Sequence, residues 1–384
     1  MLWDSCPVLL REIFTFPLET QATGTCTKTG LNCCSEIADQ FISNKNIVMP
    51  KSIESKSKVQ LGVVPTHLKF VGGLVPDEEG RIPRGNNGLL VVENMKALAA
   101  AADVKIDAVQ VPFFPGLNEG DVEEMVKGFR ELGLTIHFIL MVGGADPMNP
   151  ADEDAVVDML AGGLAAAAKH GVEHVSSTSI EEWMQAGATR KEGADLEAAI
   201  AQNVKVHLRA IEQAGIEGSC VQGWHIEFLR GGEFQTFTDI QRAWAFVKAA
   251  NEALGRSFFH VMVDAAHCGD SDLTISENEK AIEEIGAAGA FGIFHASAKT
   301  TRGCLSTDDG WIGALLTASA KTGKLHTCFV EVFHHEDDAL QGLRDFEPGH
   351  GIDTTDGRSY DQVVVDGLNE TGRRLNNLVA RGVL

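Results

Sequence analysis

The chain has 384 residues, enough for one large domain or two ordinary ones and ample for an α/β barrel of about 250 residues with extensions. Its 54 acidic against 32 basic residues give a formal charge of −22, which speaks against nucleic acid and anionic membranes as partners and favours a small neutral substrate and a cation. No apolar run reaches the roughly 18–20 residues of a membrane span, and Asp4, Arg11 and Glu12 interrupt the stretch where a signal peptide would be apolar, so the expectation is a soluble, cytoplasmic protein.

In chain order, residues 1–58 read as an irregular, partly disordered extension, richer in Cys, Thr, Ser and Asn than the remainder of the chain, with one short helix over about 31–43. Cys6, Cys26, Cys33 and Cys34 crowd it without the Cys-x-x-Cys pair of a metal knuckle, and Met49 is a second candidate start. Cys220, Cys268, Cys304 and Cys328 are scattered singly, the pattern of reduced thiols in a cytosolic enzyme.

From Gly62 onward the chain is rhythmic. Apolar runs at 66–72, 106–113, 134–142, 171–177, 223–229, 258–264, 290–296 and 326–333 have the length and composition of strands. Segments 87–103, 119–133, 151–170, 190–215, 237–254, 275–288, 309–322 and 359–382 are rich in Ala, Leu, Glu and Lys, with apolar residues at three- and four-residue steps, as amphipathic helices are. Eight alternations predict a (β/α)8 TIM barrel over 59–384 with a C-terminal helical segment; a doubly wound open sheet is the alternative. No Gly-x-Gly-x-x-Gly follows the first run and no Walker-type loop is present, which leaves nucleotide binding without support.

Glu227, Asp264, His295 and Glu331 each stand near the end of such a run, in steps of 37, 31 and 36 residues, about one βα unit each. Strand ends form one ring at the C-terminal face of a barrel, so residues spaced this way converge. Parity agrees: Trp224, Ile226 and Phe228 face the helices while His225 and Glu227 face the lumen. His260, Met262 and Asp264 likewise turn inward against Phe259, Val261 and Val263, and Glu331 inward between Val330 and Val332. Three carboxylates in one lumen repel one another unless a cation or protons intervene, so the set predicts a site for one divalent metal ion. Hard oxygen donors with one imidazole suit Mn²⁺ first, with Mg²⁺, Co²⁺ and Zn²⁺ also admitted.

Asp264-Ala-Ala-His267 adds an imidazole just past a strand end. With it, Glu227, Asp264-x-x-His267, His295 and Glu331 resemble the metal-site pattern of the xylose-isomerase-like barrel superfamily, and most closely its ketose 3-epimerase branch of the D-tagatose and D-psicose (allulose) type. The resemblance covers 62–384 as architecture and 224–335 as motif. It implies that the Glu, Asp, His, Glu set binds Mn²⁺, Co²⁺ or Mg²⁺, that His267 touches substrate, and that the chain forms a homodimer or homotetramer. Glu233, six residues after the first ligand, and Arg302, one residue off the family's spacing after His295, agree with the pattern and join His267 as expected substrate-binding residues. Leu229 stands where xylose isomerases proper carry a Lys, so a hydride shift loses ground to proton transfer. Asp308 and Asp309 resemble the acidic pair that, with His267, holds a second metal in aldose isomerases, at a longer spacing; Asp309 reads equally as an N-cap of the helix starting near Gly310. His67, Lys69, His137 and His174 are strand-borne without a counterpart in the epimerases, and a strand-borne His is ordinarily a hydrogen-bonded core residue.

The ligand types imply a mechanism. An ion with two open positions would chelate a ketone oxygen and the neighbouring hydroxyl and stabilise the enediolate left when the adjacent C–H proton departs. Glu227 and Glu331 would flank that carbon, one removing the proton and the other returning it, each role worth roughly 10²–10⁴-fold. The expected function is a divalent-metal-dependent sugar isomerase/epimerase acting on a small sugar or polyol; a keto-polyol dehydratase of the inosose or dehydroshikimate type and a two-metal aldose–ketose isomerase are the alternatives. His334-His335, followed by Glu336-Asp337-Asp338, reads as a solvated loop, 343–358 as a long loop at the site's mouth, and Cys268 as an inert thiol.

Overall fold

Eight parallel strands close into a barrel in the computed structural model, which describes residues 51–65, 74–298, 310–332, 345 and 357–384. Around the ring they are β1 (Gln60–Val64), β2 (Ala108–Phe113), β3 (Thr135–Leu140), β4 (His174–Ser177), β5 (Gly223–Glu227), β6 (Phe259–Asp264), β7 (Phe291–Ala296) and β8 (Thr327–Glu331). The ring closes where β1 pairs with β8, from Gln60 beside Thr327 to Val64 beside Glu331. The helices among the described residues are α1 (Leu90–Ala101), α2 (Glu119–Glu131), α3 (Glu153–Lys169), α4 (Gly193–Ala214), α5 (Ile240–Leu254), α6 (Ala265–Asp270), α7 (Ile275–Ala287), α8 (Trp311–Lys321) and α9 (Tyr360–Ala380). This is the (β/α)8 barrel that the alternation predicts, and not the open sheet. None of the described helices is long and apolar enough to cross a membrane.

Local chemistry sets the helix ends. Asn118 accepts from the Asp121 N–H at the start of α2 and Asp239 from the Arg242 N–H at the start of α5, while Thr274 and Glu277 form a reciprocal capping box on α7. Gly215 and Gly255 end α4 and α5 at φ 62° and 73°, a conformation that a side chain would strain. The outward side chains of the strands, among them Val63, Val111, Phe138, Trp224, Ile226, Val263 and Phe294, are buried under the helices, each contributing roughly 1.5–3 kcal/mol.

Four features depart from the sequence reading. The first strand is Gln60–Val64, ahead of the 66–72 run. Gly62 interrupts its apolar pattern, yet a side chain there would collide with the ring of Phe329, so the glycine is what lets β1 and β8 close the barrel. The one-and-a-half-turn helix α6 follows β6 directly, and α8 takes Gly310 rather than Asp309 as its N-cap. In the β6–β7 ladder Val261 pairs with Phe291 but Val263 with Phe294, a bulge that gives β7 one extra residue. Strict alternation would put Phe291 in the lumen with His295; the bulge turns Phe291 and Phe294 out to the helices and leaves Ile293 inside.

Several expectations fall outside the described residues: the extension up to residue 50 with its four cysteines, the 66–72 run with His67 and Lys69, then Arg302, Cys304, Asp308 and Asp309, His334-His335 and most of the 343–358 loop. From Ile53 onward the chain forms one compact unit, in which Ile53 pairs with Val104 and Asn376 of α9 accepts from the Lys56 N–H and donates to the Glu54 carbonyl.

The lumen is layered. Histidines occupy its N-terminal end; above them Ala108, Met262, Ile293 and Phe329 form an apolar plug with Val64. Acidic groups close the C-terminal end, where the candidate site lies.

Candidate metal centre

Each candidate ligand is held by the C-terminal end of a strand, where the backbone is fixed by neighbours on both sides. Glu227, Asp264 and Glu331 are the last residues of β5, β6 and β8, His295 is the next to last of β7, and all four are buried. One donor atom from each lies within 4.8 Å of all the others. His295 stands at the centre: its Nδ1 is 3.0 Å from Glu331 Oε2, 3.5 Å from Glu227 Oε1 and 3.7 Å from Asp264 Oδ2.

Two devices aim these groups. Asp264 is the N-cap of α6: its Oδ1 accepts the His267 N–H at 2.8 Å, leaving Oδ2 turned to the centre. The Asp-x-x-His spacing is thus the spacing of a cap and its third helical residue, and it sets His267 beside the site, Nε2 3.6 Å from Glu227 Oε1. His295 is oriented from β2, where Gln110 Oε1 accepts from His295 Nε2 at 2.7 Å while Gln110 Nε2 donates to Ser176 Oγ at 2.7 Å. With Nε2 carrying the proton, Nδ1 keeps a lone pair for the centre when an ion is held there. Gln110 escaped the sequence reading, although it is the one polar residue of the run AVQVPF and shares a face with inward Ala108.

The electrostatics are those of crowded acids. Burial, then the carboxylates of Glu331 and Glu227, lift Asp264 well above the usual carboxylate range. Burial lifts Glu227 as well, with Glu331 and Glu233 adding to the effect. For His295 burial acts downward, but Glu331 and Glu227 outweigh it and hold the imidazole well above its ordinary value. Glu227 Oε1 and Asp264 Oδ2 are buried without a hydrogen bond. Leaving a buried carboxylate oxygen so is costly, and the two orphaned oxygens face the same centre as His295 Nδ1. A divalent cation fits this set: three carboxylates and one imidazole supply the hard, anionic donors that Mn²⁺, Mg²⁺ or Co²⁺ take.

Around the centre the structure brings some of the expected substrate groups near. Glu233 is buried, paired with Arg230 (Nε to Oε2 3.0 Å), and close enough to act on Glu227. Its other oxygen accepts from the indole Nε1 of Trp183 at 3.4 Å, and Trp183 is 45% exposed. Neither Arg230 nor Trp183 was singled out in the sequence, because each reaches the site from a loop. Leu229 is buried in the core, and Cys268 is buried with its thiol pushed well above the ordinary range by burial and then Asp264, as an inert thiol requires.

No protein-family model matches the chain, and no curated protein is similar to it in sequence. Solved structures share its fold. D-allulose 3-epimerase from Methylomonas sp. superposes with a TM-score of 0.62 at 15% identity, over 84% of this chain and 99% of that one. An L-ribulose 3-epimerase gives 0.60 at 16% identity, over 84% and 98%. D-psicose 3-epimerase from Clostridium cellulolyticum H10, solved with D-tagatose, gives 0.58 at 14% identity, over 83% and 99%. At these identities the likeness is one of fold: the chain is a (β/α)8 barrel of the kind these sugar epimerases share, the fold that the motif implies.

Proposed function

We propose that the chain is a divalent-metal-dependent sugar isomerase/epimerase that moves a proton at the carbon next to a carbonyl of a small sugar or polyol. The observation that carries this reading is the convergence of Glu227, Asp264, His295 and Glu331 with two buried carboxylate oxygens lacking hydrogen bonds. Mn²⁺ as the ion, a cytoplasmic location and assembly into two or four subunits belong to the same proposal.

Glu227, Asp264, His295 and Glu331 would hold the cation, which would supply positive charge that draws electrons toward a neighbouring carbonyl and makes the adjacent C–H acidic. Glu227 and Glu331 approach the centre from β5 and β8, on two sides of His295. One of the pair, as the carboxylate, takes the proton, the electron pair of the C–H bond moves toward the carbonyl oxygen, and the other, which starts as the carboxylic acid, gives its proton to the opposite face, so that the two end with their protonation states exchanged. The centre inverts and no net charge is lost. Burial lifts the Glu227 carboxyl, which suits a group that must accept and then release a proton. His267, Glu233 and Arg302 serve as partners for substrate hydroxyls, and Leu229 in place of a Lys favours proton transfer over a hydride shift.

The test is to load the full-length protein with Mn²⁺ and offer ketoses, keto-inositols and sugar phosphates in deuterated water. An epimerase incorporates solvent deuterium at the inverted carbon. Glu227→Gln and Glu331→Gln should each lower turnover by at least about 10²-fold with an unchanged circular dichroism spectrum. Product without deuterium would mean a hydride shift, an ultraviolet-absorbing enone would mean a dehydratase, and near-normal turnover in either variant would remove that residue from the pair.

A further inference from the structure

The opposite end of the lumen holds a second constellation that the proposed reaction does not use. His174 of β4, His225 of β5 and His326, just ahead of β8, each offer a ring nitrogen within 4.8 Å of the others. His137 stacks on His174 with ring centres 5.4 Å apart, and His260 on His225 at 4.9 Å, so five imidazoles fill the floor of the barrel. Branched aliphatic side chains are what ordinarily fill such a layer.

We propose that this floor is a second metal site, in which His174, His225 and His326 bind one borderline transition-metal ion of the Zn²⁺ class and brace β4, β5 and β8 across the lumen. The separation of His225 Nε2 and His174 Nδ1 is 3.3 Å, long for a hydrogen bond. It equals the edge of a tetrahedron whose metal–nitrogen bonds are about 2.0–2.1 Å, the geometry and bond length of zinc with imidazole. His326 Nδ1 is engaged by Thr327 Oγ1 at 2.8 Å, which fixes the ring and leaves Nε2 for the ion.

Hydrogen bonding does not account for all the ring nitrogens of this layer. Nδ1 of His225, Nδ1 of His260 and both nitrogens of His137 are buried without a partner, so His137 departs from the expectation that a strand-borne histidine is hydrogen-bonded core. Space has been cleared for them instead. A side chain at Gly292 would collide with His326 Nε2 and crowd His225, and one at Gly223 would come within 3.0 Å of His260 and 3.3 Å of His174 Nδ1. His174, His260 and His326 are only half-buried, so an ion can enter from the N-terminal end. Three imidazoles without a carboxylate select Zn²⁺, Cu²⁺ or Ni²⁺ over the Mg²⁺ and Mn²⁺ suited to the acidic end.

The test uses metal-free full-length protein titrated with Zn²⁺ by calorimetry, with anomalous diffraction from zinc-soaked crystals. Wild-type protein should bind one equivalent at each end of the barrel. A variant with Asp264→Asn and Glu331→Gln should keep the floor equivalent, and one with His174→Gln and His326→Gln should lose it while keeping the other. Zinc-edge density among the three imidazoles of the wild-type crystal is the expected result, and it decides the matter even where a variant fails to fold. Absence of that density, or an Asp264→Asn/Glu331→Gln variant that folds but takes up no Zn²⁺, would overturn the proposal and leave the floor as a stacked-imidazole core. Either outcome is independent of whether the chain proves to be an epimerase.

Discussion

At the scale of single residues, His295 shows how little of the candidate site is set by its four converging side chains alone. Its ring is held from both sides, by carboxylates at Nδ1 and by Gln110 Oε1 at Nε2, so the side chain of β2 decides which nitrogen faces the centre. Gln110→Leu should therefore lower Mn²⁺ affinity about 10–100-fold without altering the ligands, a loss read by calorimetric titration. An affinity within about twofold of wild type would mean that the carboxylates alone orient the ring. The motif residues were legible because spacing and parity are local properties of sequence. Gln110 was not, since nothing nearby in the chain says that it meets a ring 185 positions away.

At the scale of elements, two of the described loops beside the site are fastened to each other. The loop after β4 carries Glu181, whose buried carboxylate accepts from the N–H groups of Gln235, Thr236 and Phe237 in the loop after β5. Met184, at φ 51°, donates its N–H to the Glu233 carbonyl, and Arg242 of α5 reaches the Lys191 and Thr236 carbonyls. This holds Glu233 and Trp183 in place. Glu181→Ala leaves three N–H groups without that acceptor and should cost about 1–3 kcal/mol, seen as a lower Tm, and should raise KM more than it lowers kcat. Under the proposed function, Trp183→Ala should raise KM with kcat within a few-fold, because its exposed indole beside Glu233 would offer an apolar face to a sugar ring. An unchanged KM would show that substrate does not reach the indole.

For the whole molecule, the acidic end makes stability depend on pH and, under the proposed function, on metal. Asp264, Glu227 and His295 all hold protons more tightly in the folded metal-free protein than in the unfolded chain. Stability from the two carboxyls is present at low pH and is lost as pH rises from about 4 through their raised folded values; that from His295 is lost above about 6.5 in the same direction. A divalent ion held by these groups would take over the role of those protons. The rise in Tm on adding Mn²⁺ should accordingly widen from about pH 5 to pH 8, measured as the difference between loaded and metal-free protein so that other titrating groups cancel. A rise that narrows with pH would contradict the assigned ligands. The metal-free barrel itself should remain folded, since its ring is closed by β1 against β8 and secured by α9, where the Tyr360 hydroxyl donates to the Val332 carbonyl and Asn369 accepts from the Asp103 and Val104 N–H groups.

The sequence by itself determined the alternation of eight strands and helices, the ends of most of them, and the facing of Glu227, Asp264 and Glu331, because apolar periodicity and residue parity are written locally along the chain. It misplaced the first strand, where a glycine broke the apolar run, and it could not show the bulge in β7. Closure of β1 on β8, the hydrogen bond from β2 that orients His295, the fastening of two distant loops and the gathering of histidines from four strands and a loop at the floor were decided only by the tertiary structure. Each depends on a partner many residues away, and a periodic pattern tells a side chain which way to face but not what it will meet.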